Sequence, residues 1–372
     1  MPHRTSLERL MPWSNTLQMP SLRQWTPYAH TALVWVFACM RLFAQATATE
    51  ENHAGHVPII SGGAGYVHNV AGGAPVLEPQ VDPVLLVAFG SHVLLESRTD
   101  FTGVFARENL TSGPFKGKVF TDVEYAQLDW LADTHAIVVG GRYLLPFGLF
   151  NERLGPLWIR NLQDPPFTAS IGTRTTGAGD GLMLRGVAAQ TPEMDLQYSA
   201  YFSVRSDVEQ LGSARAAGGD ASVFFPRLRL EVGGSGQAFL QDHHINNGAA
   251  YVSWQPLEAS LDVKGEYDAS YYGRGYWLEA AYKLDHASSH AAIQKAQFVG
   301  RIEQVFPQHG GGNGLPHVDS TRFDAGLNYY LKDNLRLVSS YGRNFNSQQN
   351  LNAWNAGITY RFTIPLWFGE ER

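Results

Sequence analysis

The chain has 372 residues and a formal net charge of −6, with 44% hydrophobic and only 17% charged residues. The acidic balance argues against a nucleic-acid partner. The single cysteine excludes a disulfide framework, and the lack of any run of roughly 18 apolar residues excludes a helical membrane span.

From the N-terminus, Thr31 to Met40 (TALVWVFACM) is an apolar run of signal-peptide length. Arg4, Arg9 and Arg23 supply a positive region before it, and Ala44-Gln45-Ala46 is an A-x-A cleavage site. Residues 1–46 are therefore expected to be a signal peptide, and 47–372 the mature chain. Cleavage there removes Cys39, four arginines and one glutamate. Lys+Arg then falls from 28 to 24 and Asp+Glu from 34 to 33, which moves the net charge to −9.

A weak strand candidate covers Val57 to Val70. Pro75 to Pro83 carries three prolines and reads as a loop. Strands are then expected at Val84 to Phe89, His92 to Phe105, Val119 to Leu131, His135 to Phe147, Asp180 to Gln190, Met194 to Arg205 and Ser222 to Val232. Gly233-Gly234-Ser235-Gly236 reads as a short turn. The stretch Leu257 to Asp268 (LEASLDVKGEYD) alternates most plainly. Leu257, Ala259, Leu261, Val263 and Tyr267 take one parity; Glu258, Asp262, Lys264, Glu266 and Asp268 take the other. Thr321 to Leu331 and the closing Trp354 to Phe362 repeat the pattern.

Tilted strands of about 9–11 alternating residues span a bilayer, and only a closed barrel leaves no backbone group unpaired there. The connections also alternate. Turns such as Ala132-Asp133-Thr134, Thr191-Pro192-Glu193 and Lys332-Asp333-Asn334 are short. Gly148 to Gly179, Ser206 to Ala221, Ser270 to Arg274, Pro307 to Ser320 and Asn346 to Leu351 read as longer loops. The fold class is thus all-β: a transmembrane antiparallel up-and-down barrel of about sixteen strands, with fourteen as the alternative. Short turns face the periplasm and long loops face outward.

Parity places Arg142, Arg185, Arg205, Arg227, Arg229, Lys264, Arg301, Arg322, Arg336 and Arg361 on the inner face as basic candidates. Glu258, Asp262, Glu266, Glu303 and Asp324, with Asp195, Glu231 and Glu279, are the acidic ones. Opposed charges along a pore wall screen solutes by size and charge; alternatively they pair with one another and hold the barrel's shape. The connection at 148–179 carries Arg153, Arg160, Asp164 and Arg174, and a long structured loop of this kind is a candidate constriction. His53-x-x-His56, His68 and His243-His244 lack the spacing of a metal site, so no metal or cofactor is expected. No G-x-S-x-G occurs. The residues point to a non-enzymatic channel for small polar solutes or ions, embedded in outer-membrane lipid. A barrel hydrolase or a surface adhesin is the alternative.

The run Val138-Val139-Gly140-Gly141-Arg142-Tyr143-Leu144-Leu145-Pro146-Phe147-Gly148 resembles the G-R-x-x-x-P-F-G strand end of phosphate-selective porins of the O and P type. Gly181 to Gly186 and Trp354 to Phe362 are similar to that family as well. The resemblance implies a sixteen-stranded, trimeric diffusion channel in an outer membrane. Phosphate selectivity is not carried over. Such pores are lined by many basic residues, and this chain has six lysines: Lys116, Lys118, Lys264, Lys283, Lys295 and Lys332. The residues after Phe362 also depart from the family's aromatic ending.

Overall fold

The structure, a computed structural model, describes residues 58–366 except 72, 108–111, 172–176, 209–210, 242–243, 310, 312–313 and 349. The expected signal peptide, Arg174, Trp367 and Phe368 lie outside the described residues. Sixteen strands form one closed sheet: β1 Ile59–Ala71, β2 Ala74–Phe89, β3 Val93–Arg107, β4 Phe115–Leu131, β5 Ile137–Leu144, β6 Ala178–Gln190, β7 Asp195–Val204 and β8 Ala216–Phe225 make the first half. The second half is β9 Leu230–Phe239, β10 Asn246–Trp254, β11 Leu261–Ser270, β12 Gly273–Lys283, β13 Ala296–Pro307, β14 Ser320–Lys332, β15 Leu335–Asn346 and β16 Asn350–Pro365. Each strand pairs antiparallel with its chain neighbours. β1 closes the circle against β16, from Ile59 opposite Pro365 to Ala71 opposite Ala353.

One adjacent pair decides which side is which. On β12, Leu278 is 47% exposed while Glu279 is 7% exposed. A sandwich in water would bury the leucine and expose the glutamate. The same inversion recurs around the barrel: Leu182, Phe298, Phe323 and Trp354 face outward, while Asp268, Arg301, Asn328 and Asn355 are buried inside. An apolar outer wall around a polar interior suits lipid outside, because hydrocarbon accepts leucine and rejects carboxylate.

Several expectations need correction. Pro75 to Pro83 is strand, not loop. β2 pairs with β1 without a break, whereas its pairing with β3 skips Glu78–Pro79 and Asp82–Pro83. A proline has no N–H to give, so the ladder drops rungs at these positions and the strand continues. The glycines 233, 234 and 236 lie inside β9, and the turn falls instead at residues 226–229. Gly233 faces the ring of Tyr251, which occupies the space a β-carbon would need.

The loop asymmetry is also weaker than expected. The β11–β12 connection at residues 271–272 is tight where a longer loop is expected, while 284–295 on the short-turn side, where the sequence already breaks the alternation, is long and includes a helical turn, Ala291–Gln294. β16 runs past Phe362 to Pro365.

Candidate functional site: the barrel interior and the connection that crosses it

After β5 the chain turns inward instead of continuing outward. Gly148 makes the turn at φ +63°, a left-handed conformation that favours glycine, and a β-carbon there would strike the Glu266 carboxylate. The glycine that ends the P-F-G run therefore has a local reason. Residues 145–171 then cross the interior, with helical turns at Phe150–Leu154 and Phe167–Ser170.

The inner wall holds this connection at many points. Gly148 N–H donates to Ser235 Oγ at 2.8 Å and Leu149 N–H donates to Glu266 at 2.6 Å. Asn161 donates to Asp262 at 3.3 Å and to Glu279 at 3.0 Å. Asn355 and Asn69 donate to Asp164 at 2.9 and 3.4 Å. Phe167 N–H donates to Glu303 at 2.5 Å, and Asn247 donates to the Ile171 carbonyl at 3.1 Å. Arg336 donates from one nitrogen toward the carbonyls of Arg160 (2.7 Å), Trp158 (3.3 Å) and Leu157 (3.5 Å). Apolar anchors fit over glycines: Trp158 over Gly63, Leu157 over Gly65 and Leu162 over Gly326.

The inward side chains behind the connection form a closed charge network. Arg301 lies 2.9 Å from Asp324, 3.4 Å from Glu303 and 3.8 Å from Glu279. Arg322 lies 2.6 Å from Glu303 and 3.0 Å from Asp324, donates to the Pro165 carbonyl and covers the Phe167 ring. Lys264 pairs with Asp262. Arg185 lies 2.6 Å from Asp129 and 3.6 Å from Glu152 of the connection. Arg153 reaches both oxygens of Glu231 at 2.8 and 2.7 Å. Arg361 lines a cavity with Trp158 and Arg336.

Within the connection, burial pushes the Glu152 carboxyl up while Arg185 and Arg153 pull it down. Burial works against the Arg153 charge, but Glu231 outweighs it and the guanidinium is held above its ordinary value. Burial lowers Arg160, with Asp164 and Asp82 opposing.

Other candidates are placed differently. Arg227 and Arg229 sit in the β8–β9 turn, because Pro226 starts the turn that the glycines were expected to make. Arg227 is 3.8 Å from Glu193, and both side chains are exposed. Glu258 lies in the β10–β11 turn, since β11 starts only at Leu261. Arg205 follows the end of β7 and pairs with Asp207 at 2.9 Å. Arg142 is opposite Asp180 in the register, 3.0 Å away, on the parity of the outward Leu182 and Leu184. It also donates at 2.5 Å to the carbonyl of Val123, beyond the point where β5 stops pairing with β4. Asp195 begins β7.

Sequence reasoning missed the inner face of β2–β4, which carries Glu78, Asp82, Glu96, Arg98, Asp100, Asp122, Glu124 and Asp129. The signal was present in the alternations Glu78-x-Gln80-x-Asp82 and Glu96-x-Arg98-x-Asp100-x-Thr102. The prolines hid the first. In β4 the register shifts around Glu124, so Tyr125 pairs with Arg98 and Val123 with Thr99, and simple parity fails.

A closed sixteen-strand barrel with an apolar outer wall, a polar interior and a connection folded across it has the architecture of a porin. Solved structures agree on the fold. OmpF of Salmonella typhi, in complex with daunomycin, matches with a TM-score of 0.60 and 11% identity, over 84% of this chain and 100% of that one. A loop L8 deletion mutant of OmpT, an outer membrane protein of Vibrio cholerae, matches at 0.52 and 12%, over 82% and 99%. A triple mutant of the Rhodopseudomonas blastica porin matches at 0.50 and 10%, over 82% and 100%. No protein-family model and no curated protein matches the sequence.

Proposed function

We propose that the chain is an outer-membrane porin, secreted with a signal peptide cleaved near Ala46, that lets small polar solutes or ions diffuse passively through its interior. The observation that carries this reading is the inverted polarity of the wall, Leu278 outward beside Glu279 inward, around a polar lumen. In this reading residues 145–171 narrow the passage, and Arg153, Arg160 and Asp164 face it or fix the loop that does. Arg185, Asp262, Lys264, Glu266, Arg301, Glu303, Arg322, Asp324, Arg336 and Arg361 form its wall and supports.

A homotrimer is part of the proposal, by resemblance to porins. The likeness to the phosphate-selective O and P type is supported by the run ending in Gly148, whose glycine turns the chain inward. The many acids inside argue against extending it to phosphate selectivity. Purified protein in a planar lipid bilayer tests the function: discrete conductance steps support it, and their absence from folded, heat-modifiable protein contradicts it.

A further inference from the structure

Two cavities adjoin at the short-turn end of the barrel, between the crossing connection and the wall. One holds about 1000 Å³ and the other about 280 Å³. Both are lined by Trp158, Ile159, Asn334 and Arg361; Arg336 lines the smaller and Arg98 the larger. The strand register explains the meeting. Arg361 on β16 stands opposite Gly63 on β1, and the Trp158 indole lies on Gly63. Arg336 on β15 stands opposite Thr359, two residues from Arg361 and on the same face. Diagonal neighbours of this kind are within reach of long side chains.

The three arginines are committed to different degrees. Arg98 pairs with Glu124. Arg336 donates from one nitrogen only, toward backbone carbonyls. Arg361 is bonded through its backbone alone: its N–H donates to the Asn334 carbonyl at 2.8 Å, and its own carbonyl accepts from the Asn334 amide at 3.3 Å. Among the described residues neither Arg336 nor Arg361 forms an ion pair. Asp333, in the β14–β15 turn, is the one carboxylate lining the smaller cavity, and none lines the larger.

A guanidinium without a counter-ion beside a flat apolar ring is a recognition pair. Its planar fork matches the two oxygens of a carboxylate. An indole face takes up another flat ring by stacking. A cavity of this size with few placed polar groups suits a small solute.

We propose that this cavity binds small monocarboxylates carrying a flat apolar ring, of the benzoate type, with the carboxylate on Arg361 and Arg336 and the ring on Trp158. That the site lies on a solute's path rests on the channel reading above; the binding itself does not.

The test is isothermal titration calorimetry of the folded full chain in detergent, with empty micelles as the blank. Sodium benzoate, acetate and inorganic phosphate are compared. Benzoate should bind most tightly, and acetate about tenfold or more weakly because it lacks the ring. Arg361→Gln should weaken benzoate binding about tenfold or more, as a charge-assisted hydrogen bond is lost. Arg361→Lys should recover only part of this. The exposed Arg361 side chain has no partner among the described residues to lose, so both variants should keep the heat-dependent shift on a gel. No saturable benzoate binding, acetate or phosphate binding as tightly as benzoate, or benzoate binding indifferent to Arg361→Gln overturns the inference, whatever the protein conducts. Folded protein that binds benzoate in this order but passes no current overturns the channel reading and leaves the site standing.

Discussion

The indole of Trp158 occupies the space above Gly63 that any β-carbon on that strand position would need. The two residues are far apart in the chain, and their contact fixes the crossing connection to β1, next to the seam where β1 closes on β16. Gly63 is not among the glycines with positive φ, so its backbone tolerates a side chain and only the neighbour objects.

Gly63→Val should therefore displace Trp158 while leaving the barrel closed. Overpacking of this kind costs about 1–3 kcal/mol. The expected result is an altered single-channel conductance, with the heat-dependent shift on a gel retained. Unchanged conductance would mean that Trp158 does not help set the width of the passage.

Arg336 is a second clamp, with a guanidinium nitrogen aimed at three carbonyls of the same segment. Hydrogen bonds from charged donors contribute about 1.5–3 kcal/mol each. Arg336→Ala should free residues 157–160 and raise current noise or conductance. Arg336→Lys should restore the behaviour only in part, because a compact ammonium cannot reproduce the planar fork. Proteolysis across 157–160 offers an independent reading: cleavage should accelerate in the alanine variant and not in the wild type.

Arg301 is 5% exposed and sits among Glu279, Glu303 and Asp324. Its removal leaves buried acids facing one another, and breaking such a pair costs about 3–5 kcal/mol. Arg301→Ala should lower the unfolding temperature in detergent clearly. Adding Asp324→Ala should recover part of the loss, since the coupled pair is then removed together. Simple additivity of the two losses would show that the network is not coupled.

Much of the barrel was legible because lipid outside and water inside impose a period of two on every crossing strand. Leu261 to Asp268 shows it in both sequence and structure, with Tyr267 outward and Glu266 inward. The failures have local causes. Prolines 75, 79 and 83 carry the local signature of breakers, yet the strand tolerates them by losing rungs on one side only. Gly233 has the local signature of a turn residue, although its smallness serves the ring of Tyr251 across the sheet. These two errors hid the acidic face of β2–β4 and put Arg227 and Arg229 on a wall they do not join.

The length and the charged and apolar anchors of the crossing connection were also visible in the sequence. Its seats were not, because Gly63, Gly65 and Gly326 lie on strands remote from it in the chain. Nothing local in the sequence links a glycine on β1 with a tryptophan nearly a hundred residues later.

The most direct measurement is the single-channel current of purified, folded protein in a planar bilayer, wild type beside a chain with residues 157–171 replaced by a short glycine–serine link. The account predicts discrete steps from the wild type and larger steps from the shortened chain, both from protein that still shifts on heating. Folded protein that passes no current in either form, or steps of equal size in both, would contradict it.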